Sequence, residues 1–192
     1  MKIGLYFGTF NPIHVGHLII ANYLAENSDL DKVWFIVTPH SPFKKKSTLL
    51  DNRQRYNMVY EATKDYQKLE PSDIEFNLPQ PNYTINTLTY LQEKYPNYDF
   101  ALIMGEDNLK SLHKWKNYEL ILQNHHIEVY PRISKGRLEH RFEGHEKINI
   151  VDAPIMELSS TLIRKSIKEG KNIRPMLPEY VWKYIDEMNF YK

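Results

Sequence analysis

The 192-residue sequence predicts an α/β fold, a mostly parallel, doubly wound sheet with helices on both faces. Three observations carry that expectation. Short apolar runs rich in β-branched and aromatic residues alternate with longer stretches whose apolar positions fall at helical spacing. Turn residues such as Gly, Pro, Asn and Asp separate them. The length suits one well-buried domain and is too short for two, so residues 1–192 are expected to form a single domain whose residues 159–192 make a C-terminal helical part.

Taken in order, residues 2–7 read as a buried strand, broken by Gly8-Thr9-Phe10-Asn11-Pro12, with residues 18–24 continuing as a helix. Residues 32–38 form a strand closed by Pro39 and Pro42, and 51–62 a helix for which Asp51 is the N-cap candidate. Residues 74–76 offer a short strand, and 84–95 a helix stopped by Pro96. Residues 99–104 are the next strand, followed by Gly105 and a helical stretch through Leu122. Strands at 126–130 and 148–151 and helices at 160–169 and 179–189 complete the alternation, which is Rossmann-like; the polar, charged stretch 133–147 is expected to be a mobile loop. Ligands in such sheets bind at the carboxyl ends of the strands, where residues 8–17, 38–44 and 105–107 all fall.

Bulk properties narrow the function. A net charge of +1 provides no basic field for nucleic acid, and the absence of cysteine excludes a disulfide scaffold and thiolate metal sites. Without a secretory signal or an apolar run near twenty residues, a soluble, cytoplasmic protein without membrane contact is expected. The most informative feature is His14-Val-Gly-His17 at a strand-to-helix turn. Such a turn presents unpaired N–H groups and the positive end of a helix dipole to an anion. Two histidines three apart share one face of the first turn and can donate to a phosphate oxygen, and an unperturbed pKa near ~6.5 lets them gain charge in a transition state. A zinc site is disfavoured, because no third ligand accompanies the pair, and no metal-ligating side chain is assigned.

Residues 8–17 resemble the (T/S)-x-x-H-x-G-H signature of the nucleotidylyltransferase superfamily, and Ser159-Ser160-Thr161-Leu162-Ile163-Arg164 is similar to its I-S-S-T-x-I-R segment. Asn82 to Leu88 and Gly105 to Trp115 resemble the Y-T-x-D-T-L and G-x-D-x-L-x-x-L-x-x-W segments of the bacterial nicotinate-nucleotide adenylyltransferases, as do residues 129–132 their V-x-x-R-P region. Asn11 and Asn86 stand where that family usually has Asp, and Phe7 where it has Gly.

The resemblance implies an enzyme that joins nicotinate mononucleotide and ATP, with Mg²⁺ on the phosphates, into nicotinate adenine dinucleotide and pyrophosphate. It implies ATP contacts from Gly8, Thr9, Phe10, His14, His17, Gly105, Asp107, Ser160, Thr161 and Arg164. His14, His17, Lys44 and Arg164 would carry the catalytic charge, and Asn11, Thr84, Trp115 and Lys116 would bind the acceptor. Arg164 adds a physical argument. A cation in the first turn of a helix opposes the macrodipole, which suggests an anion between them. Arg53 reads instead as structural, or as a residue that holds the loop after the second strand. Alternatives are a sibling transferase acting on nicotinamide mononucleotide or phosphopantetheine, or a non-catalytic nucleotide sensor; homo-oligomerisation stays open.

Overall fold

The computed structural model describes residues 1–39, 49–132, 142 and 144–192. Lys44, and most of the stretch expected to be a mobile loop, lie outside the described residues. Six strands form one sheet: β1 (Lys2–Gly8), β2 (Lys32–Val37), β3 (Leu69–Ser72), β4 (Asp99–Gly105), β5 (Ile127–Tyr130) and β6 (Ile148–Ile150). Their order is β3-β2-β1-β4-β5-β6 and every pairing is parallel, where the sequence led us to expect only a mostly parallel sheet. From β1 the chain winds outward through β2 and β3, then returns to β1's other edge with β4. The strand order thus reverses between β1 and β4, and a crevice opens at their carboxyl ends.

Helices α1 (Val15–Asn27), α2 (Asn52–Thr63), α3 (Thr84–Lys94), α4 (Glu106–Ser111), α5 (Tyr118–Asn124), α6 (Ser160–Lys168) and α7 (Glu179–Glu187) pack on the sheet. Alternation along β1 divides the core. Ile3 and Leu5 face a cluster with Leu88, Leu91 and Leu122, from α3 and α5, while Tyr6 faces one with Leu24, Val59 and Val181, from α1, α2 and α7. Helices therefore cover both faces, as expected.

Two elements differ from the sequence reading. Residues 74–77 are a 3-10 turn, and the third strand lies earlier, at Leu69–Ser72. That strand is the sheet's edge, where Pro71 is tolerated because an edge residue has no ladder partner on one side. The helical stretch from 106 to 122 is also broken. A 3-10 turn at Leu112–Lys114 ends α4, and Asn117, in left-handed conformation at φ 52°, starts α5 afresh.

Candidate active site

The crevice is filled from the β1 side by residues 8–14. Phe10 adopts left-handed backbone at φ 43°, although its Cβ makes that region costly by about 1–2 kcal/mol. Its ring is buried edge-on against Tyr6, Phe35 and His17, and burying a Phe offsets such a cost with about 1.5–3 kcal/mol. Gly8 makes the room. A Cβ there would lie 2.8 Å from the Phe10 ring, so this glycine admits the ring as well as lining the crevice.

His14 is the N-cap of α1 and His17 its third residue. Each imidazole Nδ1 accepts from the other residue's backbone N–H at 3.3 Å, and the rings stack with centroids 3.6 Å apart. Two histidines thus make the reciprocal cap usually built from Ser and Glu. A ring nitrogen that accepts carries no proton, so in each neutral ring the proton is placed on Nε2. Burial, and secondarily the Arg132 charge, lower the His14 pKa to about 3. His14 therefore meets a ligand as a neutral donor, which corrects the expectation of an ordinary imidazole pKa.

A stability consequence follows. With the folded pKa below the unfolded value near ~6.5, the unfolded chain takes up the proton first, and stability falls as pH drops from about 6.5 towards 3. His14→Asn supplies a good cap that does not titrate. Urea titrations at pH 7 and pH 4 should show the variant losing less stability on acidification than the parent, by about 1–3 kcal/mol. Equal losses in both proteins would contradict the assignment.

Across the crevice stands the start of α6. Ser159 caps it by accepting from the Leu162 N–H at 3.2 Å, and the Ser160 hydroxyl donates to the Pro12 carbonyl at 2.8 Å, tying this helix to the β1 turn. Arg164 is the fifth residue of α6, beyond the first turn, so the predicted clash with the helix dipole is weaker than expected. Its guanidinium donates to the Asn11 carbonyl at 2.7 Å and the Thr161 hydroxyl at 3.3 Å. A cleft of about 380 Å³ collects Gly8, Thr9, Phe10, His14, His17, Asp107, Ser160, Thr161 and Arg164. Gly105 stands behind this lining as the N-cap of α4, where a Cβ would lie 2.6 Å from Asp107 Oδ1.

Asn11 is the clearest displacement. Assigned to the acceptor from the sequence, it lines the same cleft as the histidines, and its Oδ1 accepts from the Leu50 N–H (3.2 Å) and the Tyr191 hydroxyl (2.7 Å). The other acceptor residues do gather elsewhere. Thr84, Trp115 and Lys116 line a second cavity of about 470 Å³ with Tyr83 and Asn82. Thr84 begins α3, and Lys116 Nζ sits 4.8 Å from the centre of the Tyr83 ring. Below them the buried Glu75 accepts from the Thr87 hydroxyl at 2.6 Å, and burial raises its pKa. Phe7, Gly8, Thr9 and Asn108 line both cavities.

Three side chains were given no role from the sequence, although Arg132 lies in the segment that resembles V-x-x-R-P. Glu75 was hidden by the strand reading of residues 74–76. Arg132, at the end of β5, lines the cleft with its Nε 3.6 Å from Asp107 Oδ1. Arg55 takes the loop-holding part that was one of two readings of Arg53; Arg53 fits the other, structural reading, pairing with Asp73 (3.1 Å) at the surface. The Arg55 guanidinium is wholly buried, and its hydrogen bonds end on the carbonyls of Thr9, Thr38, Pro39 and Leu50 and on Asn52 Oδ1. Burial lowers its pKa to about 10, which leaves it charged at neutral pH.

The cytidylyltransferase-like family model matches residues 5–166. The "Probable nicotinate-nucleotide adenylyltransferase" of Flavobacterium psychrophilum is 69% identical over 192 residues, covering 100% of both chains. That of Bacteroides fragilis is 43% identical, covering 96% of this chain and 90% of its own. Among solved structures, the nicotinic acid mononucleotide adenylyltransferase of Plasmodium falciparum complexed with NaAD superposes with a TM-score of 0.83 at 19% identity, over 99% of this chain and 97% of that one, a likeness of fold.

Proposed function

This chain belongs to the nicotinate-nucleotide adenylyltransferases of the cytidylyltransferase-like family, and from that membership we propose which cavity takes which substrate. The enzyme joins nicotinate mononucleotide to the adenylyl group of ATP, giving nicotinate adenine dinucleotide and pyrophosphate in NAD biosynthesis. The observation that supports the assignment is the wall at Phe7, Gly8, Thr9 and Asn108 common to both cavities. ATP occupies the cleft of the two histidines, with its adenosine towards Asp107 and its triphosphate between α1 and α6. The mononucleotide occupies the cavity of Trp115, its ring against the indole and its carboxylate towards the Thr84 and Ile85 N–H groups at the start of α3, which precede the first bonds of the helix, from Asn86 and Thr87 to the Tyr83 carbonyl.

In this arrangement a 5′-phosphate oxygen of the mononucleotide attacks the α-phosphorus of ATP, the bond from that phosphorus to the bridging oxygen breaks, and pyrophosphate leaves with the electron pair. A phosphate dianion is already a competent nucleophile, so the protein positions and stabilises charge rather than removing a proton. His14 and His17 donate from Nε2 to the transferring phosphoryl oxygens, and Arg164 with the α6 N-terminus holds the departing pyrophosphate. Lys44 is assigned to the same phosphates from the sequence resemblance. Asp107 is the carboxylate lining the cleft among the described residues, and it faces Arg132; no group of three metal-ligating side chains occurs among those residues. A divalent ion, Mg²⁺ in our reading, would be held by the phosphate oxygens of ATP and would supply charge screening there. No described helix is long and apolar enough to cross a membrane, and we place the enzyme in the cytoplasm.

The acceptor is tested by pyrophosphate release with ATP, Mg²⁺ and either the acid or the amide mononucleotide. N–H donors suit a carboxylate and oppose an amide NH₂, so the acid should lead by at least ~10-fold in kcat/KM. Equal rates would sink the acceptor assignment and leave adenylyl transfer standing.

A further inference from the structure

Beyond α7 the chain turns back on itself through unusual backbone. Asn189 and Tyr191 both lie in the left-handed region, at φ 53° and 66°. The first closes the helix, with the Phe190 N–H returning to the Ile185 carbonyl at 3.0 Å. Left-handed Tyr is a different matter. A side chain beyond Cβ disfavours that region, and a residue stays there only where its surroundings hold it.

What holds Tyr191 is the active-site turn. Its hydroxyl donates to Asn11 Oδ1 at 2.7 Å, its phenol is largely buried close to the Arg164 and Arg55 charges, and burial pushes its pKa up. Asn11 Oδ1 also accepts the Leu50 N–H, so two donors fix which end of the amide faces them. The backbone carbonyl of the same Asn11 receives Arg164. Tyr191, Asn11 and Arg164 therefore form one connected chain of contacts. Tyr191 does not line either cavity.

We propose that Tyr191 is a positioning residue for the triphosphate end of the site, fixing Asn11 so that its carbonyl aims the Arg164 guanidinium into the cleft. This rests on ATP occupying the cleft of the two histidines. Tyr191→Phe keeps the ring and removes the hydroxyl, so packing survives while one donor to Asn11 is lost.

The test combines calorimetric binding of α,β-methylene-ATP with steady-state pyrophosphate release, on the wild-type, Tyr191→Phe, Arg164→Ala and doubly substituted proteins. Loss of one neutral hydrogen bond should weaken analogue binding and raise the KM for ATP by about five- to tenfold, leaving the KM for nicotinate mononucleotide within about twofold. If the hydroxyl acts through Arg164, the same substitution changes analogue affinity by less than about twofold in the Arg164→Ala background. Unchanged analogue affinity in Tyr191→Phe, an equal rise in both KM values, or a full effect in the absence of Arg164 would each overturn the proposal. Since Arg164→Ala is measured alongside, failure of the ATP assignment itself would show separately, as unchanged analogue affinity in Arg164→Ala.

Discussion

His17→Ala lowers kcat by ~10²- to 10³-fold, because it removes a fixed donor aimed at charge developing on the transferring phosphoryl group. The same change also uncaps α1. His17 Nδ1 accepts the His14 N–H, and losing such a cap costs about 1 kcal/mol, enough to lower Tm by a few degrees without unfolding the protein. Catalysis and capping can be separated. Gln at this helix position is a regular partner in a reciprocal cap, so His17→Gln should recover the stability while kcat stays low. Steady-state pyrophosphate release beside thermal denaturation reads both quantities, and near-normal turnover by folded His17→Ala would remove the residue from the mechanism.

Arg55→Met should have the largest effect on stability. The aliphatic stem is roughly kept, but four carbonyls lose the guanidinium that served them. Buried acceptors without donors cost about 1–3 kcal/mol each, and after partial relaxation the total is expected at about 3–5 kcal/mol. Because one of those carbonyls belongs to Thr9, the turn between the two cavities should loosen as well. Turnover should fall by ~10-fold or more, since small misplacements of reacting groups are expensive. Arg55→Lys retains the charge without the planar fork and should recover little. Urea denaturation and kcat measured together provide the check. A lysine variant as stable and active as the parent would show that charge alone, not the fork, is what the site requires.

Arg55 also shows what the sequence made legible and what it did not. Arg55, Met58, Val59, Ala62 and Thr63 are the buried positions of α2 at helical spacing, so an arginine on the inward stripe was itself a signal. Arg53, on the outward face, drew attention through its closeness to the lysine-rich segment. Strands β1, β2 and β4 were readable because their apolar runs are long, and β5, only four residues, because Ile127, Val129 and Tyr130 are strong strand formers. β3 was not, since Leu69-Glu-Pro-Ser is short, polar and interrupted by proline, as an edge strand can be. The alternation of Ile74-Glu-Phe fits a strand as well as the 3-10 turn that buries Glu75. For the site, motifs located His14, His17 and Arg164 because their chemistry is local in sequence. Tyr191 and Asn11 lie 180 positions apart, and no local pattern announces their contact.

The wall shared by the two cavities bears on the life of the product. Phe7 to Thr9 and Asn108 border both, so under the proposed assignment of substrates to cavities a dinucleotide would span two half-sites as one tethered ligand. It surrenders translational and rotational freedom once where the separate substrates surrender it twice, and the second half binds at high effective concentration. Leaving then requires both grips to open together. A bridging ligand built to keep that span should accordingly outbind either mononucleotide by more than its added contacts would explain.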